Sequence, residues 1–227
     1  MTEFVLVPGA CHGGWWYEPL VAALAERGHR GHALTLSGLE PKPSHSQGVN
    51  LETHVEEACT AASAAVASSG PVVLVGHSYG GSVISATADR LGDGVAALVY
   101  LDAFVPEDGD SCYAMTDAAQ RDWYIGGAGA TGLAVQPLAF FDPRARPHPL
   151  GTLIQQCRLT GAWRSVPVKH YVAALQWPGV SPFAPITQRL EGEPGWSVHH
   201  WETRHNVLHD GPGRVLELLL EVAHQVS

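Results

Sequence analysis

The sequence predicts an α/β protein: one six-stranded, mostly parallel sheet with helices on both faces and a cap insertion at residues 106–167. Three observations predict it. Short apolar runs alternate with stretches of helical periodicity. The fourth run, residues 96–101, is apolar throughout, as in a strand covered on both sides. The chain has 227 residues, 45% of them hydrophobic, enough for one domain (1–227) with a sizeable core.

The elements follow in order. Residues 4–7 (FVLV) form the first strand, stopped by Pro8-Gly9. Residues 19–27 are helical and end at Gly28; residues 31–36 are the second strand, ended by Ser37-Gly38. A polar, proline-containing loop spans 41–48. Asn50 caps a helix in which Leu51, Val55, Ala58, Ala62 and Ala65 recur at three- and four-residue steps. Gly70-Pro71 ends it, and residues 72–75 are the third strand. Residues 82–91 are helical, 96–101 are the fourth strand, and 169–175 and 197–201 are the fifth and sixth. Pro212 opens the last helix, where a missing N–H costs nothing. Residues 106–167 break the rhythm with prolines, glycines and aromatic residues; at that length they are an inserted, partly helical segment over one end of the sheet.

Composition narrows the function. Acidic residues outnumber lysine plus arginine 22 to 13, for a formal charge of -9, which argues against nucleic acid or an anionic membrane as partner. The four cysteines contain no C-x-x-C pair, so neither a zinc ribbon nor a redox motif is indicated. No signal-like leader and no bilayer-length apolar run is found, and cytoplasmic residence is the default expectation. The oligomeric state is open.

Gly76-His77-Ser78-Tyr79-Gly80 matches G-x-S-x-G between an apolar strand and a helix, the context in which the motif places a strained, exposed nucleophile. The flanking glycines remove Cβ atoms that would clash, Gly81 allows close helix packing, and the Tyr79 N–H at the helix start can face an oxyanion. After the first strand, Pro8-Gly9-Ala10-Cys11-His12-Gly13-Gly14 suits a second donor, the Ala10 N–H, with His12 bracing the loop.

These segments, VLVPGACHGGWWYEPL and VGHSYGG together with LVYLDAFVPEDG and WETRHNVLHDGPGRVLELL, resemble the α/β-hydrolase fold superfamily. Within it they resemble the group of plant methylesterases, hydroxynitrile lyases and bacterial relatives. The resemblance covers nearly the whole chain. It implies that the chain starts at the third strand of the full fold, leaving six strands, and that the triad runs serine, acid, histidine. It places the base at His205. His209 is read as part of a helix cap, and His199 and His200 lie within a strand on opposite faces. The His205–His209 spacing suits a metal pair, but Asn206 replaces the glutamate such a motif requires and no acidic third ligand is indicated, so no metal and no cofactor is expected.

The acid departs from the family pattern. Most relatives carry it after the penultimate strand, where this chain has Trp177-Pro178-Gly179 and no carboxylate before Glu191. Asp102, at the end of the fourth strand, is the substitute. Glu107, Asp108 and Asp110 are further candidates, and a dyad without an acid is the next alternative. The expected chemistry is hydrolysis of a small carboxylic ester or lactone through an acyl-enzyme. Trp15, Trp16, Trp123, Phe140 and Phe141, with Tyr79, are candidates to line a pocket for an apolar or aromatic substrate. Arg144, Arg146 and His148 could meet a substrate carboxylate or simply form a solvated loop. Hydroxynitrile lyases of the group use a lysine after the catalytic histidine and a hydroxyl in the first oxyanion loop; here those places hold Asn206 and Gly9. A non-hydrolytic enzyme (cyclase, decarboxylase or lyase) and a ligand-binding, receptor-like protein are the alternatives.

Overall fold

The computed structural model describes residues 1–42 and 48–227. The loop expected at 41–48 thus falls mostly outside the described residues. The first strand is β1 (Glu3–Val7); a single 3-10 turn (Gly14–Tyr17) leads into α1 (Glu18–Glu26) and then β2 (Arg30–Ala33). Next come α2 (Leu51–Ser69), β3 (Val72–His77), α3 (Gly80–Leu91) and β4 (Val95–Leu101). Between β4 and the next sheet strand lie α4 (Cys112–Met115), α5 (Ala118–Gly127), β5 (Ala134–Val135), β6 (His148–Pro149) and α6 (Leu150–Ile154). The chain ends with β7 (Val168–Ala174), α7 (Ala184–Glu191), β8 (Trp196–Trp201), α8 (Val207–Asp210) and α9 (Pro212–Gln225).

Six strands form one sheet in the order β2-β1-β3-β4-β7-β8, every pairing parallel. The order explains the site: β1, β3, β4 and β7 are consecutive neighbours, so the turns leaving their carboxyl ends lie side by side. Period-two alternation divides the strand side chains between two cores. Val5, Val7, Leu74, Leu98 and Tyr100 pack toward α2, α3 and α7, whereas Phe4, Leu6, Val73, Val99 and Leu101 pack toward α1 and α9. α2 begins at Asn50, whose side chain accepts from the Thr53 N–H while the Thr53 hydroxyl accepts from the Asn50 N–H.

Residues 106–167 hold the three short helices and a two-stranded antiparallel ribbon, β5 with β6. Their buried side chains, among them Cys112, Tyr124, Val135, Leu153 and Trp163, merge with the α2–α3 core. Among the described residues no helix is long and apolar enough to cross a membrane.

Candidate active site

The strand β3 hands the chain to α3 through a turn that only glycine neighbours permit. A Cβ on Gly80 would lie 2.3 Å from the Val7 carbonyl oxygen, and one on Gly81 would lie 2.1 Å from that of Phe104. Ser78 is forced to φ +52°, a left-handed conformation that costs a non-glycine residue roughly 1–3 kcal/mol. The turn is held by Gly81 N–H and Phe104 N–H, which both donate to the Ser78 carbonyl. Of residues 72–88, Ser78 alone is not fully buried. Sequence and packing thus present one hydroxyl at the sheet edge.

Three non-glycine residues have positive φ among the described residues: Cys11, Ser78 and Asp102 (+68°, +52° and +45°). They sit on the turns after β1, β3 and β4, three adjacent strands. Strain gathers where the sheet edge is shaped for chemistry.

Asp102 is 1% exposed and accepts three hydrogen bonds. Ala174 N–H donates to Oδ1 at 3.1 Å; Trp177 Nε1–H and His205 Nδ1–H donate to Oδ2 at 3.0 and 2.7 Å. A carboxylate, which has no proton to give and about four lone-pair sites, suits three convergent donors. Its own N–H is spent on the Val172 carbonyl at 2.7 Å, which anchors the strained turn to β7. The structure therefore brings Asp102 and His205 together, from β4 and from the loop after β8. It also gives Trp177 a role that the sequence did not disclose: the residue standing where the resemblance places an acid donates to Asp102. The other acidic candidates are engaged elsewhere. Glu107 pairs with Arg164 and Arg189, Asp108 accepts from Leu159 N–H, and Asp110 accepts from Glu107 N–H.

With Nδ1–H given to Asp102, the neutral ring of His205 has its lone pair on Nε2, the tautomer a general base needs. The ring is clamped between Phe183 (centroids 5.3 Å, 16° between planes), Trp177 (4.8 Å) and His77 (4.6 Å). His77 Nε2–H donates to the His205 carbonyl at 3.0 Å, so the residue before Ser78 ties the histidine loop to the serine turn. Ser78 Oγ itself makes no hydrogen bond to His205 among the described residues; nucleophile–base contacts commonly tighten only with substrate in place. Trp16 stacks on the other face of His77 at 4.4 Å. Burial, then the charge of His205, pushes the His77 pKa well below its ordinary value. His77 Nδ1 is buried without a partner among the described residues, and a Cβ on Gly9 would approach it to 2.7 Å.

The loop after β1 is equally braced. His12 Nδ1–H donates to the Ala10 carbonyl at 2.7 Å, matching the bracing expected of it. Behind Tyr79, its hydroxyl donates to His54 Nδ1 at 2.8 Å and His54 Nε2–H donates to the Ser37 carbonyl at 2.9 Å. His54, buried on α2, was not singled out from sequence, because an isolated histidine on an apolar helix face carries no signal of its partner; His148, weighed from sequence only as a contact for a substrate carboxylate, is buried on β6.

Of the aromatic candidates, Trp15, Trp16 and Phe141 surround His12 at centroid distances of 5.4, 5.8 and 5.1 Å. Trp123 packs on Phe141 and gives its N–H to the Gln136 carbonyl. Phe140 is 81% exposed. Arg144 pairs with Asp142 and lies over Trp15, and Arg146 donates to the Pro143 and Ala145 carbonyls. His148 is fully buried and faces the protein, not a ligand. His209 is exposed, and its N–H is capped by Asn206. His199 bonds His170, and His200 pairs with Glu191 on the other side of β8.

This arrangement has relatives. The chain is 36% identical over 96% of its length to a carbendazim-hydrolysing esterase of Nocardioides sp. strain SG-4G, 98% of which is covered. It is 38% identical to Methylesterase 2 of Arabidopsis thaliana over 46% of this chain and 40% of that one. Among solved structures, an extracellular α/β-hydrolase from a Paenibacillus species superposes with a TM-score of 0.80, covering 98% of this chain and 99% of that one at 19% identity. The model of the Alpha/beta hydrolase family matches residues 4–218, and with the sheet order and the G-x-S-x-G turn in place, the chain belongs to that family.

Proposed function

We propose that the protein is a serine esterase that hydrolyses small carboxylic esters, lactones included, by way of an acyl-enzyme. The observation that carries this reading is the Asp102–His205 pair, with Nδ1 on the buried carboxylate and the ring lodged against the residue preceding Ser78. Ser78 attacks the ester carbonyl while His205 Nε2 takes its proton. The Ala10 and Tyr79 N–H groups receive the oxyanion, and Asp102 stabilises the imidazolium. His205 then protonates the departing alkoxide and afterwards activates the water that releases the acid. Apart from that water, the steps use groups of this chain.

The aromatic ring of residues around His12 favours an apolar or aromatic substrate, and the similarity to the carbendazim-hydrolysing esterase points the same way. The lyase alternative is disfavoured by geometry: a hydroxyl side chain in place of Gly9 would collide with His77, which is wedged between Trp16 and His205. The test is turnover of p-nitrophenyl acetate, longer p-nitrophenyl esters and carbendazim by wild type and Ser78→Ala. Loss of about 10³-fold or more in kcat for the variant supports the reading. Activity that survives Ser78→Ala would point to non-hydrolytic chemistry, and tight binding without turnover to a receptor.

A further inference from the structure

We propose that His148, contributed by the inserted segment, is a positioning residue that locks the oxyanion loop through Cys11. Its kinetic consequence rests on the esterase reading above. Cys11 follows Ala10, is 1% exposed and holds φ +68° without being glycine. Such a residue returns to ordinary backbone unless its surroundings over-determine it. Here its polar groups are all taken by the insertion. Cys11 N–H donates to His148 Nδ1 at 3.1 Å, Arg146 N–H donates to the Cys11 carbonyl at 2.9 Å, and Cys11 Sγ lies 3.8 Å from the Val135 carbonyl oxygen.

The tautomer of His148 is fixed by its other nitrogen. Thr152 Oγ1 gives its proton to the Pro149 carbonyl at 2.8 Å and therefore accepts from His148 Nε2–H, also at 2.8 Å. Nδ1 is left as a bare acceptor, the one form that can hold the Cys11 N–H. The peptide between Ala10 and Cys11 is thereby gripped at both ends, His12 Nδ1–H on its carbonyl and His148 on its N–H. The preceding peptide, which bears the Ala10 N–H, is gripped by His12 N–H on the Gly9 carbonyl at 3.2 Å. The His148 ring also meets the Tyr79 ring edge-on at 4.7 Å, so one side chain buttresses the residues of both oxyanion donors. A transition-state donor is effective only if it is aimed before the reaction starts.

The test compares His148→Phe, which keeps bulk and removes the acceptor, with His148→Asn, whose Oδ1 restores an acceptor. Thr152→Val, which removes the partner of Nε2–H without touching the loop, is the third variant. Hydrogen exchange at the Cys11 amide is measured in each, with kcat, KM and inhibition by a trifluoromethyl ketone, whose adduct carries an oxyanion. His148→Phe should speed Cys11 exchange by about tenfold or more. It should lower kcat by about 10–100-fold with KM within about twofold, and weaken the ketone by a similar factor. His148→Asn should recover most of each, and Thr152→Val should fall between. Unchanged Cys11 exchange, a loss confined to KM, or no difference between the Asn and Phe variants would overturn the proposal. If His148→Phe fails to fold, the Asn and Thr152→Val variants decide it by the same criteria. If wild type shows no ester turnover, the esterase reading has failed, while Cys11 exchange still decides the clamp.

Discussion

Replacing Asp102 by asparagine changes one atom and sets three donors against a side chain that can satisfy only part of them. The carboxylate accepts from Ala174 N–H on one oxygen and from Trp177 Nε1–H and His205 Nδ1–H on the other. Asparagine offers one oxygen and one NH2. With its oxygen toward Ala174, the NH2 confronts the Trp177 indole N–H and drives His205 into the tautomer protonated on Nε2, which cannot accept the Ser78 proton. With the amide reversed, the NH2 confronts a backbone N–H at the end of β7. The indole can swing aside and the backbone cannot, so the first orientation prevails. Loss of the base tautomer should lower kcat by about 10³–10⁴-fold, or about 4–5.5 kcal/mol of barrier. The unmatched buried donor should cost a further ~1–3 kcal/mol of folding stability. The assay is initial-rate hydrolysis of p-nitrophenyl acetate on enzyme whose folded fraction is fixed by urea titration. Wild-type kcat/KM within about threefold, with the unfolding midpoint unchanged, would refute the assignment of Asp102.

Other perturbations follow the same logic. Trp177→Phe keeps the ring against His205 but removes one donor from Asp102; kcat should drop about 5–30-fold with KM little changed, measured on the same ester. Gly81→Ala drives a Cβ to 2.1 Å from the Phe104 carbonyl oxygen, backbone that has no room to move, and should destabilise by about 3 kcal/mol in urea unfolding. Glu3→Gln tests an acid pair at the opposite edge of the sheet. Burial alone would raise the Glu3 carboxyl, but the hydrogen bond and charge of His32 and the hydroxyls of Ser69 and Ser68 outweigh it and hold the pKa below its ordinary 4.5. Because the folded-state value is depressed, the carboxylate contributes stability above the unfolded value that disappears as pH falls through the folded one. The wild type should exceed the variant by about 1–2 kcal/mol at pH 7, and the gap should close below pH 4.5, as read by urea titrations across that range.

The strands and their order of appearance were written in local chemistry. Strand ends were declared by Pro8-Gly9 after 4–7, Ser37-Gly38 after 31–36 and Asp102 after 96–101, whereas the third strand, expected over 72–75, runs on to His77; helix starts were marked by Asn50 and Pro212. Small boundary shifts arose where polar side chains continue a strand's path. β2 ends at Ala33, short of the expected 36, because the next residues turn to meet the loop after β1, Thr35 Oγ1 accepting from Gly14 N–H. The single-turn helix α8 forms despite Gly211-Pro212 because Asn206 caps it.

Ser78 was legible because a tight strand-to-helix turn imposes glycine at fixed offsets, a constraint confined to neighbours in sequence. Asp102 and His205 could be named from strand ends and chain order, but their distance could not, since it depends on β4 and β7 pairing while residue 205 leaves β8. What only tertiary structure decided is the set of partners. Trp177 reaches Asp102 across 75 positions, and Cys11 reaches His148 across 137. The sequence determines which groups each turn presents and which conformations glycine allows. Which donor finds which acceptor is decided when parallel pairing and burial leave each polar group one place where its hydrogen bond can be made.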